Sequence, residues 1–171
     1  MSGPVIGGLG RFVRHVSMTP WKARKAFPDK VMDTIQHEVA EQEKRHHGEV
    51  RFVVERELTT AQLWAGLTSR QRAIEVFSAL QVWNTEDNTG ILIYVLLADH
   101  KVEVVADRGI QKLVAAEEWI AIVKAMEDQF RAGHFEAGAV AGVRAASDLL
   151  ARHFPGSADD VNQLPDRPLM I

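Results

Sequence analysis

The sequence predicts an α/β fold with a small mixed sheet that combines a parallel crossover pair and an antiparallel hairpin. Three observations predict it. Segments with apolar residues at helical spacing alternate with short β-type runs. The run ILIYVLL, Ile91 to Leu97, turns tightly at Ala98-Asp99-His100 into KVEVVA, Lys101 to Ala106, which is the length of an antiparallel hairpin. A helical segment separates ILIYVLL from the earlier run GEVRFVVE, and such a crossover places its two strands parallel.

Taken in order, Pro28 and Asp29 open a helix with Met32, Ile35 and Val39 on one side, expected to run to about His46. Gly48 to Glu55 forms the first strand. A helical turn is expected over Thr60 to Gly66. Thr68 with Gln71 three residues later is a capping box for a helix bearing Ala73, Phe77 and Leu80. The hairpin follows. Trp119, Val123, Met126 and Phe130 mark a helix from Glu117 to about Arg131, stopped at Gly133, and Ala139, Val143, Ala146 and Leu150 mark another from Phe135 to His153. Within it GAVAG, Gly138 to Gly142, has the small-residue spacing that permits close helix packing. The tryptophans at 21, 64, 83 and 119 are expected to be core or half-buried anchors.

These elements divide the chain into a basic, aromatic amino-terminal arm (1–28), one α/β domain (29–154) and a Pro-rich extended tail (155–171). At 171 residues one domain is the default. The absence of cysteine excludes disulfides, thiolate metal sites and cysteine nucleophiles. Residues 1 to 30 carry six Lys or Arg against Asp29 alone, whereas the remainder holds fourteen basic and twenty-two acidic side chains. The balance argues against nucleic acid as a partner and directs the arm towards an anionic phospholipid surface or the protein's own acidic face. Phe12, Val13, Trp21 and Phe27 alternate with its cations, as in an interfacial anchor, and Pro20 breaks any single helix through the segment. The first residues show no apolar stretch of signal-peptide type, and no apolar run approaches the length of a membrane span, so the expectation is a cytoplasmic protein, peripheral at the inner face of the membrane.

The topology sends three polar loops to one end of the sheet: Arg45-His46-His47-Gly48, Glu86-Asp87-Asn88 and Asp107-Arg108-Gly109. Glu86, Asp87, Asn88 and Asp107 are hard oxygen donors, suited to magnesium or calcium. Their alternative reading is structural: Asp87 and Asn88 make a side-chain-to-backbone turn, and Asp107 caps the turn after it. RHHGE, Arg45 to Glu49, is not the Arg-His-Gly signature of histidine phosphatases, because it has one His too many and precedes a strand rather than following one. His46 and His47 are expected to finish the first helix. None of the motifs HExxH, GxSxG or the P-loop occurs.

The succession of a Gly-led strand, a helix ending near Trp83, DNTGILIYVLL, VEVVADRGI and FRAGHFEAGAVAGV resembles the TPM domain, the thylakoid-lumen-phosphatase-like family, over roughly Asp29 to Phe154. The resemblance implies a three-layer α/β/α sandwich with a small mixed sheet of three to four strands, divalent-metal (calcium) binding in some members, weak acid-phosphatase activity in plant members and roles beside membrane complexes. Carried over by position, its motifs fall on Asp87, Asn88, Gly90, Asp107 and Gly109. Most relatives are secreted or tethered, so for a cytoplasmic member magnesium, or no metal, is expected rather than calcium. The resulting expectation is a non-enzymatic module that acts near the membrane with a protein partner. The alternative is a metal-dependent phosphatase using the acidic corner.

Overall fold

A computed structural model describes residues 5–156 and 162–171. In chain order the elements are α1 (Val5–Ser17), α2 (Pro20–Ala26), α3 (Asp29–Glu43), β1 (Glu49–Glu55), α4 (Thr60–Trp64), α5 (Ser69–Ala79), β2 (Gly90–Leu96), β3 (Lys101–Ala106), α6 (Arg108–Gln111), α7 (Ala116–Arg131), α8 (Phe135–His153) and β4 (Leu169–Met170). The sheet order is β3-β2-β1-β4. β1 runs parallel to β2 from Glu49 opposite Gly90, and β3 returns antiparallel with Ala106 opposite Ile91.

β2 is buried along its whole length, which is why its sequence is continuously apolar rather than alternating. One face, carrying Val50, Phe52, Val54, Ile91, Ile93 and Val95, packs under α3, α7 and α8. The other, carrying Val53, Leu92, Tyr94 and Leu96, packs under α5. Burying each of these side chains stabilises the fold by about 1.5–3 kcal/mol. The result is the three-layer sandwich, with the expected capping box of Thr68 and Gln71 at the start of α5. α8 lies close on α7: a Cβ at Gly142 would stand 2.2 Å from the Met126 sulfur, so only glycine fits there without displacing that side chain.

Both ends of the chain are more structured than composition suggested. Residues 5–17 and 20–26 are helices, separated at Thr19, whose side chain caps α2, with Pro20 in the first helical position where it is tolerated. Phe27 is 1% exposed and lies edge-on to Phe130 and Phe135 within the main core, so it is unable to meet lipid. At the other end the tail contributes β4, parallel to β1, and Ile171 N donates to the Val54 carbonyl. This pairing covers an edge strand that would otherwise be an open template.

Two smaller expectations also fail. α3 stops at Glu43, and His46 is buried in a bridge to Pro155, its Nδ1 donating to the Gly48 carbonyl at 2.9 Å. Trp64 is 81% exposed and Trp83 is exposed too, whereas Trp119 is half-buried against the core.

Candidate functional site

Parallel β1 and β2 with antiparallel β3 bring the starts of the first two strands and the end of the third to one end of the sheet. The Asn88 carbonyl accepts from Gly109 N at 2.9 Å, and Arg108 Nε donates to Asn88 Oδ1 at 3.1 Å. A Cβ at Gly109 would stand 2.3 Å and 2.4 Å from the carbonyl oxygens of Asp87 and Asn88, which is why glycine occupies this position. Asn88 has φ 54°, a left-handed turn conformation that asparagine tolerates. Thr89 N donates to Thr85 Oγ1 at 2.9 Å, and Thr89 Oγ1 donates to the His47 carbonyl at 3.3 Å, so the three loops form one bonded corner.

Asp107 carries both readings at once. Its Oδ1 accepts from Arg108 N at 2.7 Å, the capping role, while its Oδ2 is buried with no hydrogen-bond partner. Asn88 lies beside it through Arg108 and Gly109, but the side chains of Glu86 and Asp87 are exposed. Among the described residues no group of three or more His, Asp or Glu is gathered to hold a metal ion. The donors fit a hard cation in kind, through the partnerless carboxylate oxygen and the adjacent amide and carbonyl oxygens. Arg108 supplies the positive charge in the arrangement as it stands.

The tail is part of this corner, through contacts that no local pattern announces. Glu86 N donates to Gln163 Oε1 at 2.9 Å. Glu49 accepts from Gln163 N at 2.8 Å and Leu164 N at 3.1 Å, and Arg51 donates to the Pro165 and Arg167 carbonyls. Behind them Glu43 accepts from Val50 N at 2.9 Å. Burial first, then the charge of Glu49 and, more weakly, that of Asp166, push the Glu43 carboxyl up to about 9, so it is protonated at neutral pH.

A second polar cluster stands at the opposite end of the sheet. Asp99, in the β2–β3 turn, accepts from Arg11 Nε at 2.9 Å, Arg11 Nη2 at 2.7 Å and His15 Nε2 at 3.0 Å. His15 Nδ1 accepts from Leu58 N at 2.9 Å, which fixes the tautomer with the proton on Nε2. Burial raises the Asp99 pKa, but the bonds from Arg11 and His15 outweigh it and hold the carboxyl below its usual value. Asp99 is the acidic partner that Arg11 meets on the domain; it lies 88 positions away, and no local pattern encodes that.

Docked this way, α1 turns an apolar stripe outward. Leu9, Val13 and Val16 are 65%, 56% and 67% exposed, and Trp21 on α2 is 69% exposed with the Lys25 ammonium 5.3 Å from its ring. Phe12 is half-buried. Among the described residues no helix is long and apolar enough to cross a membrane.

The fold matches known proteins. The family model described as the TPM domain matches residues 23–149. The BA42 protein of the psychrophilic bacterium Bizionia argentinensis, solved by NMR, superposes with a TM-score of 0.74 at 30% identity, covering 83% of this chain and 93% of that one. No curated protein matches. The chain belongs to the TPM domain family.

Proposed function

We propose that this TPM domain is a non-enzymatic interaction module of the cytoplasm that lies against an anionic membrane surface through α1 and α2 and engages a protein partner there. The observation that carries the reading is the outward stripe of Leu9, Val13, Val16 and Trp21. It sits in a segment, residues 1–28, that contains no acidic side chain and five Lys or Arg. Apolar side chains on such a face dip into the headgroup region while cations meet anionic lipid, each adding about 1 kcal/mol near the surface and losing it as salt rises. Trp64 on α4 and Ile74 on α5, both large and exposed, support a protein partner.

In this reading the acidic corner binds a divalent ion, magnesium or calcium, weakly. Asp107 Oδ2 and the oxygens of Asp87, Asn88 and Glu86 would hold it, tying the β2 entry to the β3 exit. A hydrolase reading rests on the same partnerless Asp107 oxygen. It needs Glu86 and Asp87 to converge on a cation that polarises a phosphoryl oxygen. Their exposure favours the module.

Co-sedimentation with vesicles tests the proposal. The protein should pellet with phosphatidylglycerol-rich vesicles at low salt, release as salt rises, and stay in solution with phosphatidylcholine. Equal pelleting with both lipids, or none with either, would remove the membrane from the function.

A further inference from the structure

A cavity of about 310 Å³ opens beside the elbow between α1 and α2, away from the acidic corner. Its floor is apolar: Val95 and Leu97 from the second strand and its extension, Phe130 at the end of α7, and Phe135 at the start of α8, with Met18 and Ala26 closing it. Phe130 and Phe135 stack at 5.4 Å between ring centroids, and neither is fully buried. The rim is cationic. Lys22, Lys101 and Arg131 stand there with His100 against the single carboxylate of Glu127.

The charged groups of the rim are unequally satisfied. Glu127 Oε1 is turned to the hairpin, accepting from Val102 N at 3.2 Å and facing Lys101 Nζ at 3.5 Å. Arg131 pairs with Asp128 at 2.6 Å. Lys22 Nζ donates only to the Ser17 carbonyl, at 2.9 Å, and makes no ion pair among the described residues. An apolar pocket with a few convergent cations at its mouth is the form taken by a site for a ligand with an apolar body and one anionic head. The volume lies at the lower end of the range of about 300–1,000 Å³ for such sites, so the ligand is small.

We propose that this cavity binds a single-chain anionic amphiphile, a medium-chain carboxylate, with its alkyl chain on Phe130, Phe135, Val95 and Leu97 and its head at Lys22 and Lys101. The site is separate from the vesicle-facing stripe: its walls are Met18, Ala26, Phe130, Phe135 and the sheet, whereas the stripe is Leu9, Val13, Val16 and Trp21. The two readings therefore fail independently.

Titration calorimetry on the full chain tests it, with hexanoate, octanoate and decanoate below their aggregation limits, and with acetate and octylamine as controls. One carboxylate should bind per chain, tightening about three- to fourfold for each methylene that the cavity accommodates. Acetate and octylamine should not bind. Lys22→Gln with Lys101→Gln, both at exposed positions, should weaken octanoate at least tenfold in protein that remains folded. Ala26→Phe, which fills the cavity, should abolish binding without removing either cation. Absence of binding to the wild-type chain, octylamine binding as well as octanoate, or octanoate binding retained in both variants would each overturn the proposal.

Discussion

Arg11 on α1 grips Asp99 in the β2–β3 turn through Nε at 2.9 Å and Nη2 at 2.7 Å, and His15 donates to the other carboxylate oxygen at 3.0 Å. This clasp fixes the amino-terminal helix to the domain and decides which of its faces looks outward. Asp99→Ala should destabilise the protein by about 2 kcal/mol, the scale of losing hydrogen bonds to a charged group while Arg11 and His15 are left unpaired. Hydrogen exchange should then quicken in α1 before it does in β2. A uniform change across the chain would mean that α1 is not a separate, clasped unit.

The same clasp has a pH signature. The folded Asp99 pKa is depressed, so its contribution is present above the unfolded value of 3.8 and is lost as pH falls through the lower, folded value. Acid denaturation of the wild type and of Asp99→Asn should therefore differ above pH 4 and converge well below it.

Glu43 carries the opposite sign. Its folded pKa is raised to about 9 from 4.5, so its contribution is complete below 4.5 and declines as pH rises towards 9. Glu43→Gln should remove a slope of up to about 1.4 kcal/mol per pH unit and stabilise the protein at pH 8 more than at pH 5. Urea midpoints of the two proteins at those pH values check this; parallel profiles would mean that the carboxyl is ionised in the fold.

At the corner, Gly109→Ala should cost about 1–3 kcal/mol, because the added methyl meets the carbonyls of Asp87 and Asn88 rather than a side chain that can move. Denaturant unfolding measures it. A neutral result would show that the two loops separate without loss.

Divalent-ion binding is checked by calorimetric titration of chelator-treated protein with magnesium and calcium. The Asp107→Asn variant keeps the capping oxygen in shape but weakens the ligand. Wild type should take up one ion weakly and the variant should lose it. Identical behaviour would leave Asp107 as a cap alone.

The sheet, its helices and the convergence of three loops were legible in the sequence because each rests on local periodicity and on one handedness rule. DNTG and DRG marked the corner, since a left-handed Asn88 and a glycine forced by neighbouring carbonyls leave recognisable residues. How residues 1–28 dock on the domain was not legible, for the opposite reason. Arg11, His15 and Phe27 find partners 84 or more positions away, and composition carries no record of that. In the tail, the bonds of Gln163 and Leu164 to Glu49 and the pairing of β4 with β1 are again non-local.

Depth in the bilayer tests membrane contact most directly. The chain has no cysteine, so Val13→Cys offers one attachment point for a nitroxide on the outward face of α1, and Ser78→Cys offers an exposed control on α5. With phosphatidylglycerol-rich vesicles, the label at 13 should become more accessible to oxygen and less accessible to a water-soluble nickel complex, while the label at 78 stays aqueous. A label at 13 that remains as aqueous as the one at 78, in protein shown to be folded, would contradict membrane contact through α1.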